Sequence, residues 1–157
     1  MDSILYQRLL DSNCIKEGEF TLKNGEKSKY YFDIKNVISH PSVLRSIGLK
    51  LYNMLDYFDV ICGIPYGGLP IACYISTTFN KPMIYIRDKQ KTYGTQKLIE
   101  GEYKKTDRCV IIDDVLTTGA SLEKDYNILK EYVTIVDTAV VVNRNKDYKI
   151  KSLIQLN

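Results

Sequence analysis

Asp113 and Asp114 follow the apolar run Val110, Ile111, Ile112 and precede Val115, Leu116, Thr117, Thr118, Gly119, Ala120 and Ser121. Two adjacent carboxylates after a strand-like run are costly to bury unless something binds them. The segment 117–121 is small and hydroxyl-rich, and its position opens a helix. The first turn of a helix carries unpaired N–H groups and the positive end of the helix dipole. Small residues let an anion come close there, and hydroxyls add donors, so the segment can cradle a phosphate. An ordinary N-cap at Thr118 or Ser121 accounts for "TTGAS" equally well when it is taken alone. The acids upstream favour the cradle, because carboxylates accept hydrogen bonds from neighbouring sugar hydroxyls. A phosphate with a diol beside it describes a ribose 5-phosphate. A Walker B strand holding Mg²⁺ near ATP would require G-x-x-x-x-G-K-[ST]. The chain has neither that motif nor G-x-G-x-x-G.

These groups need a scaffold that ends strands beside helix starts. Residues 3–13 read as a short amphipathic helix with Ser3 as its cap. "EFTLKNGEKSKYYFDIK" reads as a β-hairpin turning at Asn24-Gly25, with Tyr30, Phe32 and Ile34 alternating against Tyr31, Asp33 and Lys35. Pro41 opens a helix whose Leu44, Ile47, Leu51, Met54 and Leu55 recur at helical spacing. "DVICGIP", "KPMIYIR", "RCVIIDDV" and "TIVDTAVVVN" read as strands, and "KSLIQL" as a last short one. "LPIACYISTTF" and residues 121–132 supply helices between them. This alternation specifies an α/β fold with a doubly wound, mostly parallel sheet, and ligands then bind beyond the carboxyl ends of the strands. Residues 63–68, Arg87 with the polar stretch 88–107, and residues 113–121 all fall at such ends. The polar stretch has no sustained period and reads as a functional lid or a disordered segment.

Composition bounds the class. The 157 residues are 45% hydrophobic and 26% charged, which fits one globular domain, 1–157. Within it residues 1–40 form a hood and base-site hairpin, and residues 41–157 the core. No apolar run reaches the ~18 residues of a membrane span, and the N-terminus does not read as a signal peptide. The net charge of +3 does not argue for nucleic acid. Eight basic against four acidic residues between Lys81 and Arg108 do make an anion-handling region. Four cysteines without a C-x-x-C spacing suit a reducing, cytoplasmic setting. The single histidine, His40, precedes a helix-opening proline and reads as a surface residue.

"VIIDDVLTTGAS" resembles the phosphoribosyl-pyrophosphate (PRPP) motif of the type I phosphoribosyltransferases. "FTLKNGEKSKYYFD" resembles the base-site hairpin of their orotate branch, and "CGIPYGGLPIA" its pyrophosphate loop. "IRDKQKTYGTQKLIEG" resembles its mobile catalytic loop, in the form found in UMP synthases. The resemblance implies that Asp113 and Asp114 hold the ribose 2- and 3-hydroxyls, and that Thr117, Thr118, Gly119, Ala120 and Ser121 hold the 5-phosphate. It implies that Tyr66, Arg87, Lys91 and Tyr93 face the pyrophosphate, with Lys91 the mobile catalytic lysine, and that Lys23, Tyr31, Phe32 and Arg144 line the orotate site. Asn143 stands where the family carries an Asp before that arginine, and Gly67 where some members carry a lysine. Mg²⁺ would arrive bound to PRPP, with no metal site of the protein's own. The implied assembly is a homodimer with shared active sites, and the implied partners are the small molecules orotate and PRPP. Phosphoribosyl transfer to another base, or a non-catalytic PRPP-binding regulator, are the alternative readings.

Overall fold

The computed structural model describes residues 2–21, 25, 27–87 and 97–156. Six strands form the central sheet: β3 (Val60–Gly63), β4 (Met83–Ile86), β5 (Ile99–Glu100), β6 (Arg108–Leu116), β7 (Thr134–Asn143) and β8 (Lys151–Gln155). Their spatial order is β5-β4-β3-β6-β7-β8, and every pairing is parallel except β4 with β5. A separate antiparallel hairpin joins β1 (Ile15–Thr21) to β2 (Lys27–Phe32), with a register shift between Glu17 and Phe20.

Alternation along the central strands divides the core in two. Ile61, Val110, Ile112, Ala139 and Val141 belong to one cluster; Val60, Cys62, Cys109, Ile111 and Val140 belong to the other. Successive strand residues face opposite sides of a sheet, so an unbroken apolar run means both faces are covered. Helices α2 (Pro41–Met54) and α3 (Gly68–Phe79) cover the first face, and α4 (Ala120–Leu129) the second. The doubly wound architecture expected from the alternation of elements is therefore present.

The N-terminal segment packs into the first cluster and has no core of its own. Leu5 and Leu9 of α1 (Ser3–Asp11), Ile15, Phe32 and Ile34 are buried together with Ile47 and Leu51 of α2. Asp2 caps α1, its carboxylate accepting from Leu5 N at 3.1 Å, where the sequence suggests Ser3. Lys50 on α2 pairs with the same Asp2, and Arg8 Nη2 donates to Ser42 O at 2.9 Å, so the first two helices are tied. The hairpin begins four residues earlier than the alternating pattern indicates, and of its turn only Gly25 is described.

Two further differences concern the polar stretch and α4. Residues 97–107 contain β5, whose Ile99 is buried against the second cluster opposite Ile86. Two residues are too few to show a period, and pairing with β4 alone makes them a strand. Helix α4 stops at Leu129, short of Tyr132. Among the described residues no helix is long and apolar enough to cross a membrane.

The start of α3 lies against the backbone of β6. A Cβ placed on Gly68 would stand 2.2 Å from Ile112 O, a backbone atom that β3 pairing holds in place. Gly68→Ala is expected to destabilise the fold by about 1–3 kcal/mol, the cost of overpacking a fixed contact. Urea unfolding measures it; an unchanged midpoint would mean that α3 does not sit where described.

Candidate active site

Strand β6 outruns its neighbour. Its pairing with β3 ends at Gly63 opposite Ile112, whereas its pairing with β7 continues to Leu116 opposite Asn143. Asp113 and Asp114 occupy this overhang, inside the strand and not in the loop after it. The alternation that sorts the core also separates the two acids. Asp113 continues the face of Cys109 and Ile111, toward α4; Asp114 continues the face of Val110 and Ile112, toward the β3–α3 loop.

The surroundings of each acid agree with that placement. Gly67, in the β3–α3 loop, approaches Asp114 so closely that a Cβ on it would lie 2.1 Å from the carboxyl carbon. A longer residue here would have to displace the acid. Tyr66 beside it is 69% exposed, and the Pro65–Tyr66 peptide is cis. Asp113 is 9% exposed, its Oδ1 accepting from Asp114 N at 2.8 Å. Burial first, and then the charge of Asp114, push its carboxyl from 3.8 up to about 8; Asp125, buried on α4, adds to the push.

The residues expected to cradle a phosphate follow directly. Thr117, Thr118, Ala120 and Ser121 are exposed, and Gly119 enters α4 at φ +89°, in the left-handed region that favours glycine. Thr118 Oγ1 accepts from Ala120 N at 3.3 Å, a local turn, and no side chain caps the helix at Gly119.

On the opposite strand of this edge, Arg144 follows β7. Its N–H donates to Leu116 O at 2.8 Å, and its guanidinium lies 5.5 Å from the centre of the Phe32 ring. Phe32 and Arg144, more than a hundred residues apart, are thus in contact one residue from Thr117. Phe32 is buried at 9% exposure, while Tyr31 turns to the other face of the hairpin against Phe20, with ring centres 5.5 Å apart. Arg87, at the end of β4, is held by Glu100 of β5, Nη1 to Oε1 at 2.6 Å. Its Nε is buried with no hydrogen-bond partner among the described residues. Lys23, Lys91 and Tyr93 lie outside the described residues. Among the described residues no three or more His, Cys, Asp or Glu side chains converge as a metal site.

Glu100, Tyr148 and Asp125 join the site without a motif to announce them. Glu100 is legible only once β5 is paired with β4. Tyr148 is placed by a loop whose ring meets Gly119.

Residues 33–153 match the phosphoribosyl transferase domain family, and the chain belongs to it. The orotate phosphoribosyltransferase of Methanocaldococcus jannaschii is 40% identical over 141 residues, covering 89% of this chain and 80% of that protein. At that identity and coverage the chain is a member of the orotate phosphoribosyltransferases. The orotate phosphoribosyltransferase structure from Aeropyrum pernix aligns with a TM-score of 0.80 at 27% identity, covering 97% of this chain and 93% of that one. The Leishmania donovani UMP synthase structure aligns at 0.85 and 34% identity, covering 98% of this chain, which spans 36% of that larger protein.

The raised carboxyl of Asp113 has a stability consequence. Between 3.8 and about 8 the folded chain keeps a proton that the unfolded chain releases, so this group's effect turns destabilising as pH rises across that window. Asp113→Asn removes the penalty. It is expected to stabilise the protein by on the order of 2–4 kcal/mol at about pH 9 and by far less at about pH 5. Denaturant titrations at the two pH values check this; an equal effect at both would show that Asp113 is ionised throughout.

Proposed function

We propose that the chain transfers the phosphoribosyl group of PRPP to orotate, giving orotidine 5-monophosphate and pyrophosphate in pyrimidine nucleotide synthesis. The observation that carries this reading is the Arg144–Phe32 contact, because it sets a guanidinium against an aromatic face on a residue whose backbone is bonded to Leu116, the residue before the 117–121 loop. A planar anionic base needs a stacking surface and a cation for its carboxylate, and guanidinium suits the second. The family membership and the names of its relatives point the same way.

In this reading the 5-phosphate sits on residues 117–121, and the ribose hydroxyls donate to Asp113 and Asp114. The two acids face opposite sides of the sheet edge, so the ribose lies across the end of β6. Orotate is held by Arg144, Phe32 and Lys23; Tyr31, expected from the sequence to join them, turns to the other face of the hairpin against Phe20 and takes no part. Displacement at C1 passes through a cation-like sugar while the departing pyrophosphate gains charge. Arg87, Lys91, Tyr66 and Tyr93 donate to that group, stabilising the transition state more than the ground state. Glu100 fixes Arg87 through one nitrogen and leaves other donors for the substrate. A closing loop over the site excludes water that would hydrolyse PRPP. Mg²⁺ enters with PRPP, as part of the substrate. Orotate is already an anion, so no strong base is required.

The same reading takes 1–157 as one domain acting in the cytoplasm, where its four unpaired cysteines stay reduced. It acts as a homodimer in which each site borrows Lys91 from the partner. Two tests follow. Turnover with orotate, uracil, hypoxanthine and adenine should be highest with orotate; a purine as best substrate would exclude this reading. Asp113→Asn, although more stable, should bind PRPP more weakly by calorimetry. For the dimer, Lys91→Ala and Asp114→Asn homodimers should each be nearly inactive, since one such electrostatic contact is worth ~10²–10³ in rate. Random mixing by refolding makes half the dimers hybrid, each with one good site, so activity should return to about a quarter of wild type. Exchange of subunits without recovery would place Lys91 in its own subunit's site.

A further inference from the structure

Asn143 is a polar side chain with no exposure at all, at the end of β7 and immediately before Arg144. Both ends of its amide are used. Oδ1 accepts from Asn145 N at 2.9 Å, and Nδ2 donates to Tyr148 O at 2.8 Å. Its backbone carbonyl accepts from Leu156 N at 2.9 Å and from Gln155 Nε2 at 3.4 Å, anchoring it to β8. The loop it spans is closed again by Tyr148 N donating to Asn145 O at 3.1 Å. The far end of that loop rests on the phosphate cradle: a Cβ on Gly119 would lie 2.7 Å from the Tyr148 ring. The near end is Arg144, pinned through its N–H to Leu116 O.

An aspartate at this position could keep the acceptor for Asn145 N but not the donor. Its second oxygen would face the Tyr148 carbonyl, lone pair against lone pair, in a site closed to water. The amide therefore closes the 143–148 loop in a way that the family's acid, as the sequence resemblance identifies it, would not.

We infer that Asn143 is a positioning residue for the base site: its amide holds the 143–148 loop shut, and so keeps the Arg144 guanidinium over Phe32. The inference rests on the orotate reading given above, since it acts through Arg144. Loosening the loop costs orotate binding and leaves the PRPP half, built on β6 and the β3–α3 loop, in place.

The test is steady-state kinetics on the intact chain with both substrates varied. Asn143→Asp is expected to raise the KM for orotate ~10-fold, the effect of one buried hydrogen bond turned into a repulsion. The KM for PRPP and kcat should stay within about twofold, because the change is in binding one substrate. Arg144→Ala should raise the orotate KM by itself, and adding Asn143→Asp to it should change nothing further, since two residues acting through one contact do not add. Additive effects, an unchanged orotate KM, or equal rises in both KM values would overturn the proposal. Asn143→Ser, smaller and polar, must show the same split should Asn143→Asp fail to fold. Failure of both to fold makes Asn143 structural only and also overturns it. A wild-type chain that does not consume orotate overturns the functional reading itself, a result separate from any of these.

Discussion

Everything at the site depends on keeping two adjacent carboxyls at the end of one strand, where among the described residues burial and neighbouring acids, and no cation, set the state of the buried one. Burial and the neighbouring charges of Asp114 and Asp125 all raise the Asp113 carboxyl. The fold tolerates this because β6 outruns β3 by four residues, which gives the acids an edge and not a sealed interior. Strand alternation starts the two side chains on opposite faces, yet the carboxyls still meet around the strand end, where the charge of Asp114 and a side-chain hydrogen bond with it both raise Asp113. The result is a position that costs stability whenever Asp113 is charged.

The elements around that edge serve to hold it open. Gly67 and Gly68 bring the β3–α3 loop against Asp114 and Ile112 at distances that no side chain would allow. Gly119 turns the chain from β6 into α4 and also makes room for the Tyr148 ring. On the far side, the Leu116–Arg144 hydrogen bond ties the ends of β6 and β7. The N-terminal hairpin contributes Phe32 to this assembly while its neighbour Tyr31 faces away, a direct outcome of the period-two strand. The hood is thus part of the site because its own core is part of the main core.

The ion pair of Arg87 with Glu100 belongs to the same logic. It closes the neck from which residues 88–96 depart, with Arg87 N donating to Leu98 O at 2.9 Å just beyond the paired residues Ile86 and Ile99. The Arg87 side chain is thus fixed by an acid on the adjacent strand, and in the proposed reading a donor fixed in this way loses less entropy when pyrophosphate is bound.

Much of this was legible in the residue order. Apolar runs of strand length and the helix-opening Pro41 identify the elements and the doubly wound sheet, and the acids ahead of a small hydroxyl-rich loop mark a candidate anion site, because each is a local pattern. The resemblance added Phe32 and Arg144 as partners, and the fold brings them into contact. Other features needed the third dimension. Strand β5 is two residues long and exists only through its partner; the cap of α1 depends on which of two adjacent residues reaches Leu5 N. Which face each acid takes, and therefore that Asp113 is buried toward α4 while Asp114 meets Gly67, follows from register between strands distant in sequence. The chain's local chemistry determined what could bind, since residue type and spacing are properties of the sequence itself. Only tertiary structure decided how the binding groups are charged and aimed, because burial, hydrogen-bond partners and neighbouring charges come from segments that folding alone brings together.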